Sequence, residues 1–142
     1  MRAVRAALPH LREGGGSVVA IESTSVKRPI DGLLLSNALR PSVVATSKTL
    51  ARQHADEDVR FNVVLPGSMD TDRLTQLFEA EAEGSSRSVE EVRSAWEADV
   101  PADRLGRPRE LGDVICFLAS PRASYVTGGV YPVDGGKTPN VH

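Results

Sequence analysis

The stretch of sequence that decides the fold reads Val59-Arg60-Phe61-Asn62-Val63-Val64-Leu65-Pro66-Gly67. Up to Leu65 it is mostly apolar, without strict alternation of apolar and polar residues, and Pro66-Gly67 then ends it. A short run of this kind is typical of a strand in a parallel sheet that helices cover on both faces. A similar run lies at 17–21, and a helical pattern over about 33–55 separates the two. Strand, helix and strand at this spacing predict a βαβ unit.

The remaining segments extend this α/β pattern in both directions. Apolar residues near helical spacing predict a helix over 2–13, which ends at Gly14-Gly15-Gly16. Because these glycines follow a helix and precede a strand, we interpret them as a helix stop rather than a phosphate-binding loop. The pattern also predicts three further helices, over about 72–81, 88–99 and 109–119, and a third strand over 130–133.

Two of the predicted helices have clear start signals, and a third contains a proline inside its predicted span. Ser88 followed by Glu91 predicts a capping box, and Pro108 suits the first turn of a helix. Pro41 lies inside the helix predicted over 33–55, so we expect it to kink that helix or to delay its start. The elements together predict one α/β domain over 1–136, followed by a loose tail over 137–142.

Length and composition limit the classes of function. The chain has 142 residues, a net charge of −2 and a 40% hydrophobic fraction, which suits one globular domain. Aromatic residues make up only 4% of the chain, which argues against a surface that stacks on nucleic-acid bases. The chain also lacks the excess of positive charge that a nucleic-acid partner would require. No apolar run is long enough to span a membrane, and arginines and Pro9 interrupt the N-terminus where a signal peptide would need an apolar segment. We therefore expect a cytoplasmic protein without nucleic-acid or membrane partners.

Cysteine and histidine predict neither a disulfide framework nor a metal site. The single cysteine, Cys116, excludes an intrachain disulfide and suits a reducing compartment. It lies within the apolar run 114–118, so we expect its side chain to be buried in the core. His10, His54 and His142 lack the spacing of metal ligands, and we expect them at the surface or in the tail.

Three segments resemble the short-chain dehydrogenase/reductase family, in particular its 3-oxoacyl-acyl-carrier-protein-reductase-like branch. They are the strand and loop 60–71 ending in Pro66-Gly67-Ser68-Met69-Asp70-Thr71, the segment Leu105-Gly106-Arg107-Pro108 continuing to Ser120, and Tyr125-Val126-Thr127-Gly128-Gly129 followed by Val133-Asp134-Gly135-Gly136. The segment 14–23 also resembles the strand that leads to the family's catalytic serine. The resemblance covers essentially the whole chain.

The resemblance implies a partial Rossmann-type fold of three layers, with parallel strands flanked by helices. Family members are single domains nearly twice this long, so the chain corresponds to their C-terminal part and lacks the half with the glycine-rich phosphate loop. The implied activity is hydride transfer between NAD or NADP and a carbonyl or alcohol substrate. The alternative is a non-catalytic remnant or a dimerising interaction module of the same fold.

The resemblance also assigns catalytic positions. The family's serine corresponds to Ser23, with Ser25 as a substitute if the loop shifts. Its tyrosine corresponds to Ser36 and its lysine to Arg40, which would also hold the nicotinamide ribose. In the family pattern the cation lowers the pKa of the phenol on the same helix face, so these replacements predict impaired catalysis by the isolated chain. A solvated polar helix face is the alternative interpretation of Ser36 and Arg40.

The loop after the second strand is the implied nicotinamide site, formed by Pro66, Gly67, Ser68, Met69 and Thr71. It follows the carboxyl end of a parallel strand, where open α/β sheets bind ligands. Thr71 has a second interpretation, because it precedes a predicted helix and could act only as its N-cap.

The resemblance also implies self-association. The helices over 2–13 and 33–55 correspond to those that pack across a dimer interface in the family. The strand 17–21 would lie at an open sheet edge, carries no charge and is rich in β-branched residues. An open apolar edge is a template for pairing with another chain, so we expect a homo-oligomer.

Overall fold

The computed structural model describes residues 2–139, so Met1, His142 and the rest of 140–142 lie outside the described residues. The helices and strands follow one another in the order that the sequence predicted. In chain order they are α1 (Arg2–Arg12), β1 (Gly16–Ile21), α2 (Leu34–Gln53), β2 (Val59–Pro66), α3 (Asp72–Glu83), α4 (Val89–Ala98), α5 (Pro108–Ala119) and β3 (Val130–Val133). Three short 3₁₀ turns were not predicted, at Thr24–Val26, Ala55–Glu57 and Pro121–Ala123.

The three strands form one parallel sheet in the order β1-β2-β3. Gly16 pairs with Val59 at one end of the β1–β2 ladder, and Ile21 pairs with Val64 at the other. All three strands therefore end on the same side of the sheet. The α/β architecture with parallel strands flanked by helices is confirmed.

Strand β2 is the centre of the core because helices cover both of its faces. On one face, Val59 and Phe61 pack with Ala51 of α2 and with partly buried leucines of α1 and α2. On the other face, α5 lies across the strands, and its Leu118 carbonyl accepts hydrogen bonds from Ser17 Oγ and Arg60 Nη1. This double burial explains why β2 lacks an alternating sequence pattern.

Helices α3 and α4 form a second, smaller cluster beside the sheet. Leu74 and Phe78 of α3 pack against Val92 of α4 and against Leu105. The rings of Phe78 and Trp96 meet edge to face, with centroids 5.5 Å apart. The predicted capping box of Ser88 and Glu91 is present at the start of α4.

One expectation about the helices was wrong, and one of two alternatives for another helix was excluded. Cys116 is exposed, because an apolar run of five residues covers more than one face of a helix and only the stripe containing Leu118 faces the sheet. Helix α2 begins at Leu34, well before Pro41, so of the two alternatives a delayed start is excluded. The side-chain amide of Asn37 explains this early start, since it bonds both the N–H and the carbonyl of Ile30 and ties the preceding turn to the first helical turn.

Candidate functional site

A cleft of about 630 Å³ opens at the carboxyl ends of β1 and β2. Segments from four parts of the chain line it: 23–31 after β1, 66–74 after β2, Trp96 and Asp99 on and after α4, and 137–138 after β3. A cleft of this size can hold a small organic ligand or one end of a dinucleotide. It lies where parallel sheets of this kind bind ligands.

Most of the predicted site residues line this cleft. They are Ser23, Pro66, Gly67, Ser68, Met69 and Thr71. Gly67 is needed for close packing here, because an added Cβ would lie 2.6 Å from the Cβ of Asp134. The loop after β2 therefore lies directly against the turn that follows β3.

Ser23 is the N-cap of the 3₁₀ turn that follows β1. Its Oγ accepts a hydrogen bond from the backbone N–H of Ser25 at 3.2 Å, as an N-cap does. Ser25, the predicted substitute, is buried, and its Oγ has no hydrogen-bond partner among the described residues. Of the two serines, Ser23 alone lines the cleft.

Thr71 is the N-cap of α3, which is one of the two roles expected for it from the sequence. Its Oγ1 accepts from Leu74 N–H at 3.4 Å and donates to the Met69 carbonyl at 3.3 Å. The hydroxyl thus connects the start of the helix to the cleft loop. A capping role and a role towards a ligand are compatible, because Thr71 also lines the cleft.

Ser36 and Arg40 lie one turn apart on α2 and contact each other directly. Arg40 Nε donates to Ser36 Oγ at 2.7 Å, and Arg40 Nη1 donates to Glu22 Oε2 at 3.1 Å. The Glu22 side chain is only 12% exposed, and that of Arg40 is 39% exposed. These bonds make a cluster that joins α2 to the end of β1.

The Glu22–Ser36–Arg40 cluster stands apart from the main cleft. None of its three members lines that cleft, although Glu22 directly precedes Ser23, which does. The structure therefore brings Ser23 together with the loop 66–71 in one cavity. It brings Ser36 together with Arg40 in a neighbouring cluster.

Lys137 follows the turn after β3 and reaches into the cleft. Its Nζ lies 2.8 Å from Asp99 Oδ2, 3.5 Å from Ser68 Oγ and 5.5 Å from the centroid of the Trp96 ring. The hydrogen bond from this ammonium lowers the pKa of the Asp99 carboxyl. The predicted tail therefore begins with a residue that is fixed against the body of the domain.

Arg93 of α4 joins the helical cluster to the cleft loop. Its guanidinium donates to both carboxylate oxygens of Asp70, at 3.1 and 3.0 Å, and to Glu97 at 3.0 Å. The hydrogen bond with Asp70 raises the pKa of Arg93. Because Asp70 lies between Met69 and Thr71, this ion pair holds the loop in place from outside the cleft.

Glu22 and Lys137 were not among the site residues predicted from the sequence. The position of each after a strand is the signal that could have found it. Glu22 ends the apolar run of β1, and Lys137 follows the Asp134-Gly135-Gly136 turn after β3. Parallel strands carry the residues after them to one edge.

Residues 2–139 contain neither a metal-binding cluster nor a membrane-spanning helix. Within residues 2–139, no group of three or more His, Cys, Asp or Glu side chains is arranged to hold a metal ion. Over the same part of the chain, no helix is long and apolar enough to cross a membrane. His54, expected at the surface, is partly buried: its Nδ1 lies 2.7 Å from Glu57 Oε2 and its ring packs near Phe61.

A family model described as enoyl-(acyl carrier protein) reductase matches residues 1–138. The 3-oxoacyl-[acyl-carrier-protein] reductase MabA of Mycobacterium bovis is 34% identical over 134 residues, which are 94% of this chain and 50% of that protein. The chain spans half or less of the length of the first curated relatives that it matches.

Solved structures agree with this match. The ligand-free aldohexose dehydrogenase of Thermoplasma acidophilum is 28% identical with a TM-score of 0.89, over 98% of this chain and 55% of that one. ElxO, solved with NADP bound, is 25% identical with a TM-score of 0.81, over 96% of this chain and 52% of that one.

Proposed function

Because this chain belongs to the short-chain dehydrogenase/reductase family, we propose that it carries the substrate end of an NAD- or NADP-dependent oxidoreductase site. The reaction is reduction of a carbonyl group or oxidation of an alcohol. The observation that carries this proposal is the cleft at the carboxyl ends of the strands, which Ser23 and the loop 66–71 line together.

The residues present fit the nicotinamide end of such a cofactor. Pro66, Gly67, Ser68 and Met69 form a wall of the cleft, and Thr71 adds a hydroxyl at the start of α3. When bound, the nicotinamide supplies or accepts the hydride. The chain's own contribution is to hold that ring against the substrate and to limit the access of water.

Ser23 is the proposed hydrogen-bond donor to the substrate oxygen. Its Oγ already accepts the Ser25 N–H, so its own O–H hydrogen remains for a ligand in the cleft. A donor aimed at the oxygen stabilises the negative charge that develops there when hydride reaches the carbonyl carbon.

Ser36 and Arg40 occupy the proposed proton-transfer and ribose-binding positions. Arg40 donates to Ser36 Oγ, which stabilises negative charge on that oxygen and leaves the serine O–H free to donate. A hydroxyl of this kind is still a far weaker acid than a phenol. Arg40 stays protonated and cannot relay a proton.

We therefore propose that catalysis by this chain alone is impaired. Cofactor affinity should also be weak, because none of the strands within residues 2–139 leads through a Gly-x-Gly-x-x-Gly turn into a helix. Calorimetric titration of the chain with NADH and with NADPH tests this point. Micromolar affinity for either nucleotide would contradict it.

Single-turnover reduction of a ketone panel at high NADPH tests the roles on α2. Changing Ser36→Tyr together with Arg40→Lys should raise the rate, since general acid–base catalysis contributes roughly 10²–10⁴-fold. The matched control is Ser42→Tyr with Arg52→Lys on the same helix, which should leave the rate unchanged. An equal rate in the unmodified chain would show that another acid acts. No turnover in either protein would favour the alternative below.

The alternative is an interaction module that forms a homo-oligomer. The supporting observation is the apolar surface at the start of α2, where Leu34, Leu35 and Leu39 are 80%, 74% and 64% exposed. Such a surface is more often an interface than a solvated face. Strand β1 lies at one edge of the sheet.

Sedimentation at several concentrations tests the alternative. Leu35→Asp should dissociate the oligomer, whereas Ala80→Asp, at an exposed position of α3, should not. A monomer at all concentrations for the unmodified chain would remove this alternative.

A further inference from the structure

The cleft has an excess of positive charge although the chain as a whole is acidic. Three cations line it, Arg28, Arg73 and Lys137, against two carboxylates, Asp31 and Asp99. The net charge of the chain is −2. A positive cleft in an acidic protein attracts anionic ligands.

Lys137 is held so that its charge stays in the cleft. Asp99 binds the ammonium at 2.8 Å, and the ring of Trp96 lies beneath it. Asp99 itself is 61% exposed, whereas Lys137 is 24% exposed. The carboxylate thus positions the lysine from the solvent side, and an ammonium with three hydrogens retains a donor for another acceptor.

Arg73 adds a guanidinium in the first turn of α3. Among the described residues, its side chain has no hydrogen bond or ion pair. Five N–H donors in a planar fork are therefore available beside the same cavity. Arg93, on the neighbouring helix α4, is by contrast occupied by the carboxylates of Asp70 and Glu97.

The remaining wall of the cleft is apolar. Ile30, Met69, Leu74 and Trp96 line it together with prolines. An apolar wall favours a hydrocarbon body on the ligand. The cations beside that wall favour one charged end.

We propose that Lys137 and Arg73 are specificity-determining residues that bind a carboxylate of the substrate, so that the substrate class is an oxo acid, or the corresponding hydroxy acid, with an apolar chain. The inference rests on the proposed function for the reacting carbonyl. A single carboxylate matches the single excess positive charge of the cleft lining. Trp96 would contact the hydrocarbon chain.

Trp96 provides the readout because it is the only tryptophan of the chain. Titration of the whole chain with 2-oxooctanoate should change its fluorescence, whereas the methyl ester should bind at least about tenfold more weakly, as for the loss of a charge-assisted hydrogen bond. Octyl phosphate, which carries a different anionic group, should bind more weakly than the oxo acid. Tighter binding of octyl phosphate would overturn the assignment of a carboxylate.

Single substitutions distinguish binding at this site from non-specific attraction of the acid to other surface cations. Lys137→Gln and Arg73→Gln should each weaken binding of the acid by roughly tenfold and leave binding of the ester unchanged. Arg109→Gln, at an exposed position of α5 outside the cleft, is the matched control. Equal loss in the control, or no loss in the two variants, would overturn the proposal.

The failure of this inference can be distinguished from failure of the proposed function. Preferential binding of the acid, without ketone turnover by the unmodified chain or by the Ser36→Tyr/Arg40→Lys variant, would leave the carboxylate site in place and remove the reductase assignment. Cofactor binding without preference for the acid over the ester would do the reverse. No change in fluorescence up to about 10 mM acid, the weak limit of specific binding, would overturn the inference.

Discussion

The central strand β2 and the rim of the cleft are held by different forces. Val59 and the run from Phe61 to Leu65 are buried, and apolar packing on both faces fixes the strand. The rim is fixed by charge pairs between exposed or partly exposed side chains: Asp70 with Arg93 and Asp99 with Lys137. Packing sets the position of the sheet, whereas exposed pairs adjust the site at little cost to the fold. Perturbing each region should therefore give effects of different size.

The largest effect is expected in the core of β2. Phe61→Ala should destabilise the protein by about 3–5 kcal/mol, because the removed ring leaves a cavity between β2 and α2. Urea unfolding followed by circular dichroism measures the change. Phe117→Ala, at a 45% exposed position of α5, is the control and should cost far less. Equal losses would show that β2 does not dominate the core.

A smaller loss of stability is expected at the N-cap of α4. Ser88 caps α4 and accepts a hydrogen bond from Glu91 N–H at 3.1 Å, so Ser88→Ala should cost about 1 kcal/mol. The same unfolding experiment applies. Ser94→Ala, on an exposed position of the same helix, should be neutral or slightly stabilising because alanine favours helices. A loss at Ser94 equal to that at Ser88 would contradict a capping role.

The ion pair between Asp70 and Arg93 should contribute less to stability than the Ser88 cap does. A double-mutant cycle with Asp70→Asn and Arg93→Gln should give a coupling energy of about 0.2–1 kcal/mol, since both side chains are about two-fifths exposed. The coupling should decrease at high salt, which screens exposed charges. A coupling that salt leaves unchanged would mean that the pair is shielded from solvent.

The smallest effect concerns pH and Asp99. Lys137 lowers the pKa of the Asp99 carboxyl below its ordinary value of 3.8, so the folded state favours the ionised form. This contribution to stability is present above pH 3.8 and is lost as the pH falls through the lower pKa of the folded state. Asp99→Asn should therefore flatten the dependence of unfolding free energy on pH below about 4, and an unchanged profile would contradict the ion pair.

The sequence predicted the sheet well because burial on both faces leaves a local signal. The runs at 17–21 and 59–65 are continuous and apolar, and the structure places them as adjacent parallel strands. The i, i+4 spacing likewise predicted that Ser36 and Arg40 share one helix face, and their atoms lie 2.7 Å apart. Short-range periodicity was sufficient for both.

The sequence failed where the partner is distant or where the face of a helix is ambiguous. Asp70 is 23 residues from Arg93, and no local pattern joins them. Glu22 was not predicted as the partner of Arg40 because the loop between them sets their approach. Cys116 was assigned to the core because an apolar run does not identify which of its residues face the sheet.

Arg60 gives β2 a second role, because its side chain joins the strand to the C-terminal part of the chain. Its guanidinium binds the carbonyls of Leu118, Ser120 and Val126, which lie 58 to 66 residues further along. These bonds satisfy the end of α5, where carbonyls lack helical partners and carry partial negative charge. One side chain thus acts as a non-covalent cross-link that encloses a long loop. Detachment of the segment from α5 to β3 requires release of this arginine together with loss of the pairing between β2 and β3. Protease nicking in that segment should therefore report a cooperative local opening.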